Sequence, residues 1–502
     1  MKSCFSRIFP LILALTPISV RAQDNGLLNK ERTLWIDSGN AALMGKSSQR
    51  PNNTAILSYD FRTGDHHLFQ EPQSASDVHF NTAGCASIGK IKLWGQFSYD
   101  NLSDSGTRFN TLVYDPFDER FIYNVADTTL SDRKRQSYDM EFKMAVPLAG
   151  RHFGGLHVRY RDRIAAKQQD PRSESTAYDV DLSPSFVFSI GSHHSLGMNI
   201  LYSHYLERAA PTLSNSSLLQ NVFVLKGLGN FTEDVVGSGG LYTMYYQGNS
   251  YGGAIQYGLD SGIELLVDAG YRLSLTELRQ DATQPRDMGL SSVNDCFLDA
   301  RLISERGNTL HKLSLNSLYK LTNGTEYATK QINGVGWEVV SKATMSKYRT
   351  LDAILSYDYY MTKDQSFLWN IHSRVRYISK NDSYVTPHSL FKYSGVSAEA
   401  GASRQFFFKR SSLTTGLQLK GYKSIEGEYV YNGARAESRP VQEWYPHDIE
   451  ILTSDHLVAG ARIEYLRSVN ENTTLGLNTG IEYLSSHVGN RLISSVGLQL
   501  TF

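Results

Sequence analysis

The 502-residue chain is short of most features that mark a soluble enzyme or a helical membrane protein. It has three cysteines, Cys4, Cys85 and Cys296. Cys4 falls within a leader described below and away from its cleavage point, which argues against a lipid anchor. Cys85 and Cys296 could pair in an oxidising compartment, but two isolated strand cysteines are the simpler reading. Beyond residue 22 no run of about 20 apolar residues occurs, which excludes a transmembrane helix. No Pro-rich or Gly/Ser-rich linker divides the chain, although it is long for one soluble core. Fifty basic residues balance fifty acidic ones. That leaves no basic excess for nucleic acid. A Gly-rich phosphate loop, HExxH and CxxC are all absent. Ser, His and Asp are plentiful, but no spacing singles out a triad, whose members are matched by geometry. No enzyme, catalytic residue, metal or cofactor is expected.

What the chain does have begins with a targeting segment. Lys2 and Arg7 precede a short apolar stretch, Ile8 to Val20, and Val20-Arg21-Ala22 forms a small-residue cleavage site. The stretch is too short to span a membrane, so 1–22 reads as a cleaved signal peptide. Residues 23–50 lack strand periodicity and form either a periplasmic or a plug segment.

From residue 51 to 502 the dominant signal is alternation of period two, which places successive side chains on opposite faces of a strand. Val496, Leu498, Leu500 and Phe502 share a face against Ser495, Gly497, Gln499 and Thr501. Leu475, Leu477, Ile481 and Tyr483 oppose Gly476, Asn478, Gly480 and Glu482. Tyr138, Met140, Phe142 and Met144 oppose Asp139, Glu141 and Lys143. Helical spacing does not fit these segments. Short turns such as Gly89-Lys90, Asp260-Ser261-Gly262 and Arg306-Gly307-Asn308 carry the residues that tight hairpins need. Longer connections, read as polar, lie between them at 102–135, 208–238, 280–291, 322–347 and 424–455. Short turns at one end and long loops at the other is the arrangement of an outer-membrane barrel. Eight short turns predict an all-β, transmembrane, antiparallel up-and-down β-barrel of about 18 strands, with 16 the alternative. Aromatics near segment ends (Tyr99, Tyr160, Tyr271, Tyr377) suit interface girdles. A terminal aromatic on the apolar face, Phe502, reads as an assembly signal for the barrel assembly machinery. The expected location is the cell outer membrane, integral and multi-pass, among lipid and lipopolysaccharide.

Trp94-Gly95-Gln96-Phe97-Ser98-Tyr99, Asp170-Pro171-Arg172 and the Phe502 terminus together resemble a Bacteroidetes-type family of outer-membrane β-barrels without assigned function. The resemblance runs over most of the mature chain. It implies an accessory part in uptake beside a TonB-dependent receptor or surface lipoprotein, and transfers no functional residue.

Polar faces should line the lumen, so their charges are the functional candidates. His157, Arg159, Arg161 and Arg163 share one strand face. Asp139 and Glu141 lie on the strand before it, Asp179 and Asp181 on the strand after. If sequential strands pair, a basic row sits between two acidic ones. That gives either a cross-strand ion-pair ladder or a charged constriction that selects solutes. The remaining lumen charges (Asp299, Arg301, Asp352, Asp358, Arg374, Arg376, Arg462, Glu464) are mixed in sign, which suggests mutual pairing. His66-His67 and His193-His194 read as solvated histidines, since adjacent strand residues point apart. Tyr114-Asp115-Pro116-Phe117 and Glu443-Trp444-Tyr445-Pro446-His447 present aromatics that either contact sugar or protein or fold over one another. Two functions follow. One is a channel or accessory uptake component with a charged lumen. The other is a plugged, non-conducting barrel serving as a binding or assembly partner.

Overall fold

The computed structural model describes residues 34–47, 53–109, 112–215, 217–237, 243–280, 284–363, 366–470 and 473–502. The expected signal peptide lies outside the described residues, as does the start of the 23–50 segment. Strands β1 (Thr54–Gly64), β2 (Ser74–Ile88), β3 (Ile91–Thr107), β4 (Val125–Ala126), β5 (Ser131–Pro147), β6 (Phe153–Lys167) and β7 (Arg172–Ile190) come first. They are followed by β8 (His194–Thr212), β9 (Gln220–Gly227), β10 (Asn230–Val236), β11 (Met244–Asp260), β12 (Ile263–Gln280), β13 (Arg286–Arg306) and β14 (Thr309–Ile332). The last seven are β15 (Gly336–Lys363), β16 (Ser366–Tyr384), β17 (Ser389–Phe408), β18 (Ser411–Tyr431), β19 (His456–Ser468), β20 (Thr474–Ser486) and β21 (Asn490–Thr501).

Eighteen of these form one antiparallel sheet that closes on itself where β1 pairs with β21, from Thr54↔Thr501 to Gly64↔Arg491. Phe502 extends that seam: its N–H donates to Asn53 O at 3.0 Å, and Asn53 N–H donates back to Phe502 O at 3.1 Å. Closure leaves no unpaired sheet edge, which lipid would not tolerate. The alternating apolar set faces outward. Met140, Phe142, Leu417, Leu477, Ile481 and Leu498 are all exposed. The opposite set faces the lumen, where Lys143 Nζ donates to the backbone of Ile36 and Ser38. Short turns gather at one end, with Gly89, Gly191, Gly262 and Gly307 at φ of +59°, +62°, +69° and +58°, the left-handed region that glycine enters without a Cβ clash. Cys85 on β2 and Cys296 on β13 are not joined by a disulfide.

The connections depart from expectation. Residues 322–347 are not a loop: β14 and β15 continue as a ladder to Ile332↔Gly336. The 280–291 connection shortens because β13 begins at Arg286. The 102–135 and 208–238 segments are not polar crossings. They carry β4, β9 and β10, which form a separate three-stranded sheet in the order β10-β9-β4. After β18, a π-helical turn (Pro440–Trp444) leads into α1 (Tyr445–Leu452).

Candidate functional site: a lumen filled from both ends

Two apolar cores occupy the lumen. At the long-loop end, Leu112, Val113, Phe121, Ile122, Tyr123, Val125, Val222, Val224 and Leu228 pack on inward residues of the wall, among them Tyr205, Tyr246, Tyr348 and Phe391. A segment this apolar has to hide its surface, and in a barrel the enclosed space is the lumen. Above it, Phe109 packs on Trp444 at 5.4 Å between ring centroids, and Trp444 and Tyr445 stack at 4.9 Å. The loop aromatics Trp444 and Tyr445 therefore fold over one another, Tyr114 is buried against Arg135 and Arg163, and Phe117 alone of that set is exposed.

At the short-turn end, residues 34–47 enter the lumen. Trp35 and Leu43 are buried against Val187, Leu266, Ile303, Leu310, Tyr360 and Phe367. A 3-10 helix (Ala41–Lys46) is capped by Asn40, whose Oδ1 accepts from Ala42 N–H at 3.0 Å. Asn40 Nδ2 donates to Gln256 Oε1 at 2.8 Å, joining the segment to a wall network of Asn199 and Asp268. The wall accommodates it with glycine. A Cβ at Gly155 would lie 2.3 Å from Ala42 N, and one at Gly258 would lie 2.8 Å from the Trp35 ring. The described part of the 23–50 segment is thus seated inside the barrel.

Between the two cores lies the charged layer predicted from β5, β6 and β7, whose register sets Asp139↔Arg161, Glu141↔Arg159, Arg159↔Asp181 and Arg161↔Asp179. The side chains pair along and across this ladder. Arg159 Nε donates to Asp139 Oδ1 at 2.9 Å, Arg161 Nε to Asp179 Oδ1 at 2.6 Å and Arg163 Nη2 to Asp179 Oδ2 at 2.6 Å. Arg161 also lies 3.8 Å from Asp181, and His157 Nε2 lies 2.8 Å from Glu141 Oε1. All eight residues are brought together, as alternating pairs. Of the other lumen charges, Arg376 pairs with Asp352 at 2.7 Å and Asp299 accepts from Asn316 at 2.7 Å.

The residues that decide how the lumen is closed carry no sequence mark. Glu119 sits in the connection between β3 and β5 and reaches strands β14, β15 and β16. It lies 3.2 Å from Lys380 Nζ and 3.9 Å from Lys320 Nζ, and accepts from Thr322 at 2.8 Å and Thr350 at 3.3 Å. Burial pushes its carboxyl up, but Lys380, Lys320 and the Thr322 hydroxyl outweigh that and hold it below the ordinary range. The neighbouring Arg120 stacks over Tyr205 at 4.4 Å. Fully buried Glu207 accepts from Tyr114 N–H at 2.6 Å and from the Ser175 and Tyr205 hydroxyls. Arg133, 2% exposed, donates to Val113 O at 2.7 Å. Each of these ties a loop to the wall.

The helix α1 packs on β17 and β18 and reaches across the mouth to the connection between β1 and β2. Asp448 accepts from Phe69 N–H at 2.7 Å and from Trp444 Nε1–H at 2.8 Å. Burial outweighs those two bonds and pushes its carboxyl up to about 7. Arg491 donates to His66 O at 2.9 Å and lies 3.4 Å from Glu71. His66 and His67 belong to this lid. His193 Nδ1 lies 2.7 Å from Asp260 O in a turn. Among the described residues no group of three or more His, Cys, Asp or Glu side chains could hold a metal ion.

A family model covers residues 41–502, nearly the whole described chain. The chain belongs to the DUF6850 family of unknown function. No curated protein matches it. Among solved structures, the ferric preacinetobactin receptor BauA from Acinetobacter baumannii is 9% identical with a TM-score of 0.40, covering 90% of this chain and 80% of that one. The outer membrane transporter YddB from Escherichia coli is 8% identical with a TM-score of 0.40, covering 90% and 81%. These likenesses are remote, and the DUF6850 barrel is defined by its own strand pairing and outward apolar face.

Proposed function

We propose that this DUF6850 protein is an integral outer-membrane barrel that serves in the uptake of small solutes as a gated component, closed at rest. The apolar outward face suits a bilayer and lipopolysaccharide, and closure of the sheet suits a wall in lipid. The observation that carries the gated reading is the tether of Glu119 across the lumen to Lys380 and Lys320. A loop anchored to the opposite wall obstructs the lumen. The ion pairs set among the apolar contacts of this plug suit one that can be released, because buried pairs add little net stability over apolar packing. A TonB-dependent receptor or surface lipoprotein is the proposed partner for release.

Conductance in a planar bilayer tests this. The full-length refolded protein should be silent. A variant with the Glu119 loop, residues 109–127, and the β9–β10 hairpin, residues 219–237, each replaced by a short Gly/Ser link should give steady channels. Steady channels from the unaltered protein would refute closure at rest. Silence of both, with the folded barrel confirmed by heat-modifiable migration, would replace the gated reading by a permanently plugged barrel acting as a binding or assembly partner.

A further inference from the structure

Among the described residues, the two plugs leave part of the lumen unfilled along β14–β21 and β1. A cavity of about 680 Å³ lies there, bordered by Arg374, Gln418, Lys420, Arg462 and Glu482. Adjoining cavities of about 360 and 420 Å³ share Arg462 with it. The third descends to Thr414, Asn478 and Gln499, close to the short-turn ends of their strands. The space therefore reaches toward the short-turn mouth while the lid covers the other. Its size falls within the range of small-molecule sites, about 300–1,000 Å³.

Charge in the main cavity is unbalanced, while the adjoining cavities add the carboxylates Asp60 and Glu464. The main cavity has five Lys or Arg side chains against three carboxylates. Arg374 shares Glu399 with His372, at 3.9 and 3.5 Å, and Arg491 has Glu71. Glu482 accepts from Gln418 Nε2 at 2.8 Å. Among the described residues, neither Lys420 nor Arg462 has a carboxylate within 4.0 Å. For Arg462 the reason is in the register. Its cross-strand neighbours are glycines on both sides, Gly416 on β18 and Gly480 on β20. A Cβ at Gly416 would lie 2.9 Å from Arg462 Nε, so glycine gives the guanidinium its room. The guanidinium makes one long bond, Nη2 to Ser403 Oγ at 3.5 Å. On β6, by contrast, Arg159 and Arg161 each face an acid. At Arg462 the partner has been left out and open space put in its place.

We propose that this cavity binds a sugar-sized organic anion, entering from the short-turn end. Arg462 and Lys420 take the carboxylate, phosphate or sulfate, and Gln418 and Glu482 stand ready for hydroxyls. A guanidinium suits such an oxyanion because its fork donates two parallel bonds. The site exists in the closed barrel, so it stands or falls independently of whether the lumen ever conducts.

Calorimetric titration of the refolded full-length protein in detergent tests it, with glucuronate, glucose 6-phosphate and uncharged glucose as probes. At least one anionic probe should bind and glucose should not. The Lys420→Gln/Arg462→Gln double variant should weaken binding at least tenfold, and Lys420→Arg/Arg462→Lys should retain it. Heat-modifiable migration of each variant reports folding. Equal binding of glucose and glucuronate, unchanged binding in the double variant, or no binding of either anion up to about 10 mM would overturn the proposal.

Discussion

Glu119→Ala is the most direct perturbation of the closed state. Glu119 is largely enclosed, at 13% side-chain exposure, while Lys380 and Lys320 are 25% and 26% exposed. Removing one partner of a buried ion pair costs about 3–5 kcal/mol. The partial exposure of the lysines places this one at the lower edge, about 3 kcal/mol. At about 1.4 kcal/mol per tenfold, the ratio of closed to open lumen should fall roughly 100-fold. Single-channel recording reads this as open probability. Lys380→Met should act in the same direction. The double variant should fall well short of the product of the two, since both remove one interaction. Glu119→Gln keeps the bond from Thr322 and should give a smaller rise. If Glu119→Ala left open probability within about threefold of the parent, with the barrel folded, the tether would not be what holds the plug.

Four further outcomes are expected. Because Glu119 is held below its ordinary range, its contribution to closure is present above about pH 4.5, the unfolded value, and is lost as pH falls through the lower folded value; open probability should rise in acid and that rise should vanish in Glu119→Ala. Asp448 runs the other way: pushed up to about 7 from 3.8, its contribution is full below about pH 4 and is lost as pH rises to about 7. Hydrogen exchange at the Phe69 amide should therefore quicken from pH 4 to 7 beyond the intrinsic rate, and Asp448→Asn should abolish that excess; an unchanged slope would refute the assignment. Gly155→Val should expel the 41–46 helix, because the new side chain meets Ala42 backbone, seen as protease cleavage within 34–47 while heat-modifiable migration persists. In a lumen opened by the deletion, the paired removals Asp139→Asn/Arg159→Ala and Asp179→Asn/Arg161→Ala should leave ion selectivity nearly unchanged, because the two charges of each pair cancel; a clear shift would instead support a selective constriction.

The wall is legible in the sequence and its contents are not, for a physical reason. Period-two alternation states which face each side chain takes, and consecutive strands pair, so the pattern alone sets Asp139, Arg161 and Asp179 side by side. The 18-strand count follows from the turns. Where both faces of a strand are polar, alternation loses its signal although the hydrogen-bonded ladder continues. That is why 322–347 reads as a loop and is strand on either side of Gly334. Contacts across the lumen are harder still. Glu119 meets Lys380 because a loop folds inward, and no periodicity relates two residues so far apart in the chain. One clue is present. Phe109, Leu112, Val113, Phe121, Ile122, Tyr123 and Val125 crowd a connection that its other residues make look polar, and an apolar loop outside the bilayer has to bury itself somewhere.

The same logic locates the open cavity. On β6, Arg159 and Arg161 fall opposite acids, because β5 and β7 place Asp139, Glu141, Asp179 and Asp181 at matching heights. On β19 the equivalent arginine, Arg462, falls between Gly416 and Gly480. From composition the two sets are alike, lumen arginines on alternating strands, and both suggest mutual pairing. Register separates them. A wall whose charges cancel locally is stiffened and presents little net field. A cation between two glycines, beside a cavity, keeps its field and its donors for something that is not part of the wall. Among the described residues, the plugged side of the lumen and the cavity therefore differ in chemistry as well as in filling: where loops and the 34–47 segment dock, the arginines of β6 are paired, and beside the cavity the Arg462 guanidinium is left facing open space.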